Sequence, residues 1–323
     1  MHAFILFGKR KLLPFGNISL YLLLLGDFAA GFRSRRSCYR FSMLRIFIIS
    51  ATVLLAALHG ADAAEPTTTP IRFGLTAAVV RENLDLYERW AAYLGRKVGR
   101  PVQFVQRRTY REAMELLETG EHDFSWICSF PYAKYRDSNI FGLMAVPVFE
   151  GEPLYRSYII VHKDRSFRTI GDLEGRVFAY SDPDSNSGYI VPRQILSDLG
   201  RNPDSFFRHT FFTYSHTETI EAIAERVADG AAVDSYVWEY LNRREPKFTA
   251  KTKVIQRSET FGFPPLVYRT GVDAELRARM TEALLTMDKN PEGQALLAEL
   301  MLDRFITAPS SLYDNVRLNL DRR

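Results

Sequence analysis

Residues 169–192, TIGDLEGRVFAYSDPDSNSGYIVP, read as a strand that delivers a hydroxyl-rich turn onto the start of a helix. Val177, Phe178, Ala179 and Tyr180 form a short β-prone run, SDPDSNSG supplies turn residues, and apolar residues recur at helical spacing from Tyr189 onward. Pro192 is tolerated only near the first turn of a helix, so the helix is predicted to begin within a few residues of Ser187. Free backbone N–H groups and the positive end of the helix dipole would meet there with the hydroxyls of Ser185 and Ser187, the amide of Asn186 and the unobstructed backbone of Gly188. Such a turn can hold an anion. Plain N-capping is the structural alternative.

Outward from this stretch the chain alternates between strand and helix patterns. Ile71 to Leu75 reads as a strand, Leu84, Leu86, Tyr87, Trp90, Ala91 and Leu94 mark an amphipathic helix, and 102–105 is a second strand. A helix over 110–117 and a strand over 124–128 follow, and the alternation implies a parallel sheet with helices on its faces. A further strand at 158–162 precedes a second α/β unit: the Val177 strand, the Ile190 helix, a strand at Phe211, a helix over 218–227 and a short strand over 233–236. Val254 and Ile255 are read as returning the chain to the first unit, where helices over 273–287 and 293–302 would pack.

With 323 residues, 46% hydrophobic and 25% charged, the chain can build two cores. Its formal net charge of +4 is unevenly placed: residues 1–63 hold eight Lys/Arg and two Asp/Glu, which leaves 34 basic and 36 acidic residues beyond them. The basicity belongs to the leader, and a nucleic-acid-binding role loses its main support. From Met43 a short basic start, an apolar run and Ala61-Asp62-Ala63 read as a cleaved secretion signal over 43–63, with 1–42 an over-extended gene start. An uncleaved anchor is the alternative. Beyond the leader Cys128 is the one cysteine, so no intramolecular disulfide forms there, and its apolar setting reads as a buried thiol. His122, His162, His209 and His216 are scattered without a metal-ligand motif, and no cofactor is implied. A hydrolase could be written from Ser187, His216 and Asp234, but no G-x-S-x-G elbow accompanies them.

Asp172, Leu173, Gly175, Asp182, Pro183, Ser185, Ser187, Gly188 and Pro192 together resemble the "DL-G, strand, DP-S-SG, helix" pattern of the substrate-binding proteins of phosphonate, phosphite and phosphate ABC transporters, and the similarity runs from about residue 71 to 313. The resemblance implies a type II periplasmic-binding-protein fold: two α/β lobes, each a mainly parallel sheet with flanking helices, joined by two hinge segments around a ligand cleft. Lobe 1 would comprise 71–157 and 259–313 and lobe 2 would comprise 158–258, with hinges near 156–158 and 256–261. It also implies a periplasmic monomer that binds a small oxyanion and delivers it to an ABC permease; a ligand sensor for a membrane kinase is the alternative.

Loops after strands are where ligands sit in open α/β sheets. By the resemblance Tyr110 matches an aromatic that closes over ligand, and His216 matches a histidine that contacts a phosphonyl oxygen. Ser129 could reach the ligand from the first lobe, although relatives often carry an aromatic and a glycine around Cys128 and Ser129. Tyr132 reads either as a cleft residue or as core, and Asp234 either as a ligand contact or as a helix cap. Aminophosphonate binders place a late carboxylate where this sequence reads GFPPLVY over 262–268, so a ligand ammonium would lack a partner there.

Overall fold

The computed structural model describes residues 69–76 and 84–316, all within the compact unit that begins at Thr67. The expected signal peptide and gene-start segment lie outside the described residues. β1 (Ile71–Leu75) buries Ile71, Phe73 and Leu75 against α1 (Leu84–Val98), whose Leu86, Trp90, Tyr93 and Leu94 line one side. Gly99, at φ 73°, turns the chain out of that helix into β2 (Val102–Gln106). α2 (Tyr110–Glu118) starts at a capping box in which Thr109 and Glu112 satisfy each other's backbone N–H groups. β3 (Phe124–Trp126) completes a parallel trio in which β1 lies between β2 and β3.

α3 (Ser129–Tyr135) begins directly after β3, and β4 (Phe141–Val148) leads to the two-residue β5 (Leu154–Tyr155). There the chain passes into a second sheet built from β6 (Ser157–His162), β7 (Val177–Tyr180), β8 (His209–Phe212), β9 (Gly230–Asp234) and β10 (Thr252–Arg257). Its order is β10-β6-β9-β7-β8, with β7 parallel to both β8 and β9 and antiparallel strands added on the β6 side. α4 (Val191–Asp198), α5 (His216–Ala224) and α6 (Ser235–Arg244) connect these strands. The chain returns through β11 (Phe261–Gly262), which pairs antiparallel with β5, so the two crossing segments run side by side.

β12 (Leu266–Arg269) then inserts antiparallel between β3 and β4, α7 (Ala274–Leu285) and α8 (Pro291–Leu300) pack against α1, and β13 (Arg304–Ile306) closes the first sheet in the order β13-β4-β12-β3-β1-β2. Each sheet thus has a parallel trio at one edge, β3-β1-β2 in the first and β9-β7-β8 in the second, with the remaining strands joining antiparallel on the other side.

Two expectations are corrected. The strand read over 233–236 ends at Asp234, whose carboxylate accepts the Tyr236 N–H at 2.8 Å, so Ser235 and Tyr236 open a helix. Val254 and Ile255 do not lie in the first unit: β10 pairs with β6 at the edge of the second sheet before the chain crosses back.

Candidate functional site

The 181–190 segment is built from short-range bonds. The Ser185 side chain caps the turn by accepting the Gly188 N–H at 3.0 Å, and Ile190 N–H reaches the Ser185 carbonyl at 3.0 Å, so residues Asn186–Ile190 form a π-turn that runs straight into α4. Pro192 has no N–H to offer the Ser187 carbonyl, five residues earlier. Ser157 Oγ, from the first residue of β6, donates to that carbonyl at 2.6 Å. Gly188 is required by packing, because a Cβ there would lie 1.7 Å from Ser181 Oγ. Ser185, Asn186 and Ser187 are fully buried, yet Asn186 Oδ1 and Ser187 Oγ have no hydrogen-bond partner.

Residues from the first sheet close over this turn. Tyr110 N–H, at the start of α2, donates to Asp182 Oδ2 at 3.1 Å. Asn186 N–H donates to Cys128 Sγ at 3.5 Å. Tyr155, on the crossing strand β5, shares a 2.6 Å hydrogen bond with Ser129 Oγ and accepts from Asn186 Nδ2 at 3.1 Å. Near the rim, the Arg108 guanidinium sits 5.4 Å from the centre of the Tyr214 ring, and Tyr214 holds a left-handed φ of 62°. A cavity of about 290 Å³ opens there between Thr109 and Arg111 on one side and Asp182, Pro183, Asp184 and Tyr214 on the other. A larger space of about 790 Å³ lies between α1 and the edge strand β2 and shares no residue with the turn.

His216 opens α5, where Ser215 caps the helix, and its Nδ1 accepts the Asp234 N–H at 3.1 Å. The ring proton therefore sits on Nε2, which faces the Tyr110 hydroxyl at 3.4 Å. Burial pushes the imidazole down to about 3, so it is a neutral donor at ordinary pH. The Asp234 carboxyl is pushed up to about 7 by burial, against the opposing pull of the Tyr236 and Val237 N–H groups. Burial likewise raises the Asp182 carboxyl, lifts the Cys128 thiol to about 11 and holds the Tyr110 and Tyr155 phenols well above their usual range. Neutral donors and buried carboxyls make up the centre of this cluster, with the rim arginines outside it.

The structure thus brings together Tyr110, Ser129, Ser185, Asn186, Ser187, Gly188, His216 and Asp234. Tyr132 lies apart, its ring 4.4 Å from Tyr313 and 5.8 Å from Phe141 in the first sheet's core. Asp234 caps α6. Ser187, His216 and Asp234 do not line up as nucleophile, base and carboxylate, since Ser187 Oγ is unpartnered and His216 Nδ1 takes a backbone N–H. Among the described residues no group of three or more His, Cys, Asp or Glu could hold a metal ion, and no helix is long and apolar enough to cross a membrane. Sequence reasoning missed Tyr155 and Ser157 as site residues; each lies at a crossing, where no local pattern marks it.

Two α/β units joined by paired crossing strands, with a buried polar cluster between them, define a binding protein of the periplasmic type. Solved structures share the fold. A binding-protein component of an ABC phosphonate transporter from Pseudomonas aeruginosa aligns with TM-score 0.73 at 23% identity, covering 78% of this chain and 86% of that one. A methylphosphonate complex from Prochlorococcus marinus aligns with TM-score 0.70 at 19% identity, covering 78% and 97%. The phosphonates-binding periplasmic protein of Escherichia coli K12 is 24% identical over 261 residues, 78% of this chain and 75% of that protein. The family model described as "ABC transporter, phosphonate, periplasmic substrate-binding protein" matches residues 73–313, and the chain belongs to that family.

Proposed function

We propose that the protein captures a small phosphorus-containing oxyanion, a phosphonate, phosphite or phosphate, between two closing lobes and presents it to an inner-membrane ABC permease. In this reading 71–157 with 259–313 form one lobe, 158–258 the other, and the β5–β11 pair the hinge. Ser185, Asn186, Ser187 and Gly188 hold the anion with backbone and side-chain donors, His216 adds its Nε2–H, Tyr110 and Ser129 close from the opposite lobe, and Asp234 sets the helix that frames the site. The protein acts as a monomer in the periplasm after its signal is removed, and it performs no chemistry on the ligand.

The observation that carries the reading is the pair of buried polar atoms without partners, Asn186 Oδ1 and Ser187 Oγ, on a turn closed over by the opposite lobe. A native fold leaves such groups unpaired at a cost of about 1–3 kcal/mol each, and a ligand that pairs with them recovers it. Water exclusion on closure strengthens each contact with an anion.

A thermal-shift panel of oxyanions and phosphonates tests the proposal. A specific ligand at a hundred times its dissociation constant raises stability by roughly 2.7 kcal/mol. Ser187→Ala is expected to weaken binding at least about tenfold while leaving ligand-free stability unchanged or slightly higher, because the hydroxyl it removes has no partner in the fold. Equal loss of binding and of ligand-free stability would favour a purely structural turn. In the same panel 2-aminoethylphosphonate should rank below methylphosphonate.

A further inference from the structure

Tyr155 occupies an unusual position. Its ring is buried on the crossing strand, 6.4 Å from Phe261 and 6.0 Å from Phe263, while its hydroxyl touches Ser129 from the first sheet's side and Asn186 from the second's. The hydrogen bonds of Asn186 can be accounted for atom by atom. Its backbone N–H goes to Cys128 Sγ, its carbonyl accepts from Val191, and its Nδ2 donates to Tyr155. What remains is the second Nδ2 hydrogen and Oδ1, an acceptor that is fully buried and unpartnered. On the next residue Ser187 Oγ is equally buried and unpartnered, and a hydroxyl can donate as well as accept. Consecutive residues of the turn therefore offer a free donor and a free acceptor. An oxyanion without a hydroxyl would set lone pairs against Oδ1, whereas one that keeps a hydroxyl can donate to it.

We infer that Tyr155 is a positioning residue whose hydroxyl holds the Asn186 amide with its oxygen free, so that the site selects an oxyanion that still carries a hydroxyl over one that has none. The inference rests on the proposal that an oxyanion is held at this turn. It singles out phosphorus oxyanions, which keep a proton near neutral pH, against sulfate-like anions, which do not.

Methylphosphonate and methanesulfonate separate the cases at mildly acidic pH, where both are tetrahedral monoanions bearing one methyl group and only the phosphonate has a hydroxyl. Calorimetry on the wild-type protein is expected to find methylphosphonate at least about tenfold tighter, the scale of one buried acceptor left unpaired. Tyr155→Phe frees the amide to turn its nitrogen toward the ligand and should narrow the preference to within about threefold. Asn186→Ala, which removes the acceptor and leaves Tyr155 in place, should narrow it likewise. A residue that only props the fold would weaken both ligands alike and preserve their ratio. Equal affinities in the wild type, or an unchanged ratio in both variants, overturns the inference and leaves the oxyanion reading standing. Failure of every oxyanion in the thermal-shift panel removes that reading and this inference with it.

Discussion

Asp234 and His216 are joined by one backbone hydrogen bond, and burial drives both toward their neutral forms. For the imidazole this keeps Nε2–H as a donor without placing a full positive charge in the cleft. For the carboxyl the consequence is a pH dependence with a definite sign. Its value rises from 3.8 unfolded to about 7 folded, so its stabilising contribution is complete below about 4 and is lost as pH climbs through 7. Asp234→Asn keeps an oxygen to accept from Tyr236 but cannot ionise. Relative to wild type it should therefore gain stability between pH 5 and pH 8, by roughly 2–4 kcal/mol, as read by denaturant unfolding at each pH. A gain that is the same at both pH values would show that the carboxyl stays ionised in the fold. At this scale the sequence made residue types legible but not their surroundings. Asp234 reads equally as ligand contact and cap until α6 is seen to start on it. Tyr132 has the same composition-level credentials as Tyr155, yet one packs tilted against core rings and the other's hydroxyl bonds Ser129 and Asn186.

Among the elements, the π-turn and α4 were the most legible, because a capping serine, a glycine and an early proline act over a few residues. Gly188→Ala places a methyl 1.7 Å from Ser181 Oγ, and overpacking of this kind should cost about 1–3 kcal/mol. Ser181→Gly in the same chain removes the clashing hydroxyl. Chemical denaturation of the single and double variants is expected to show partial recovery in the double; the same loss in both would place the strain elsewhere. β4 was not legible, for an equally local reason. Its sequence FGLMAVPV carries a glycine and a proline, which read as breakers. In the fold the ring of Tyr268 occupies the space a Gly142 side chain would need, and Pro147 lies opposite Phe305 of the short strand β13. α6 was hidden because Val233 and Tyr236 are both β-prone, and only the cap at Asp234 separates strand from helix.

Across the whole molecule the two sheets are held together by contacts between residues far apart in the chain. Tyr110 N–H meets Asp182, Asn186 N–H meets Cys128, and Tyr236 Oη donates to the Leu300 carbonyl at 2.6 Å. The first two lie over the candidate site, while the third ties α6 to the end of α8. Asp182→Ala removes the acceptor for the α2 N-terminus and should shift the ligand-free protein toward open forms by about 1–3 kcal/mol. Small-angle scattering would register this as a larger radius of gyration without ligand that returns to the wild-type value at saturation. An unchanged radius in both conditions would mean that this contact does not hold the lobes together.

Most of the strand–helix alternation, the hydroxyl-rich turn and its family pattern are written in the chain itself, because each depends on spacing and propensity over a few residues. Which side chains meet depends instead on how the sheets pack. Tyr110 and Asp182 stand 72 positions apart, Asn186 and Cys128 58, Asn186 and Tyr155 31, and no local rule couples them. Those pairings exist because a pair of two-residue crossing strands links the two sheets, and burial at their contact leaves Asn186 Oδ1 and Ser187 Oγ without partners.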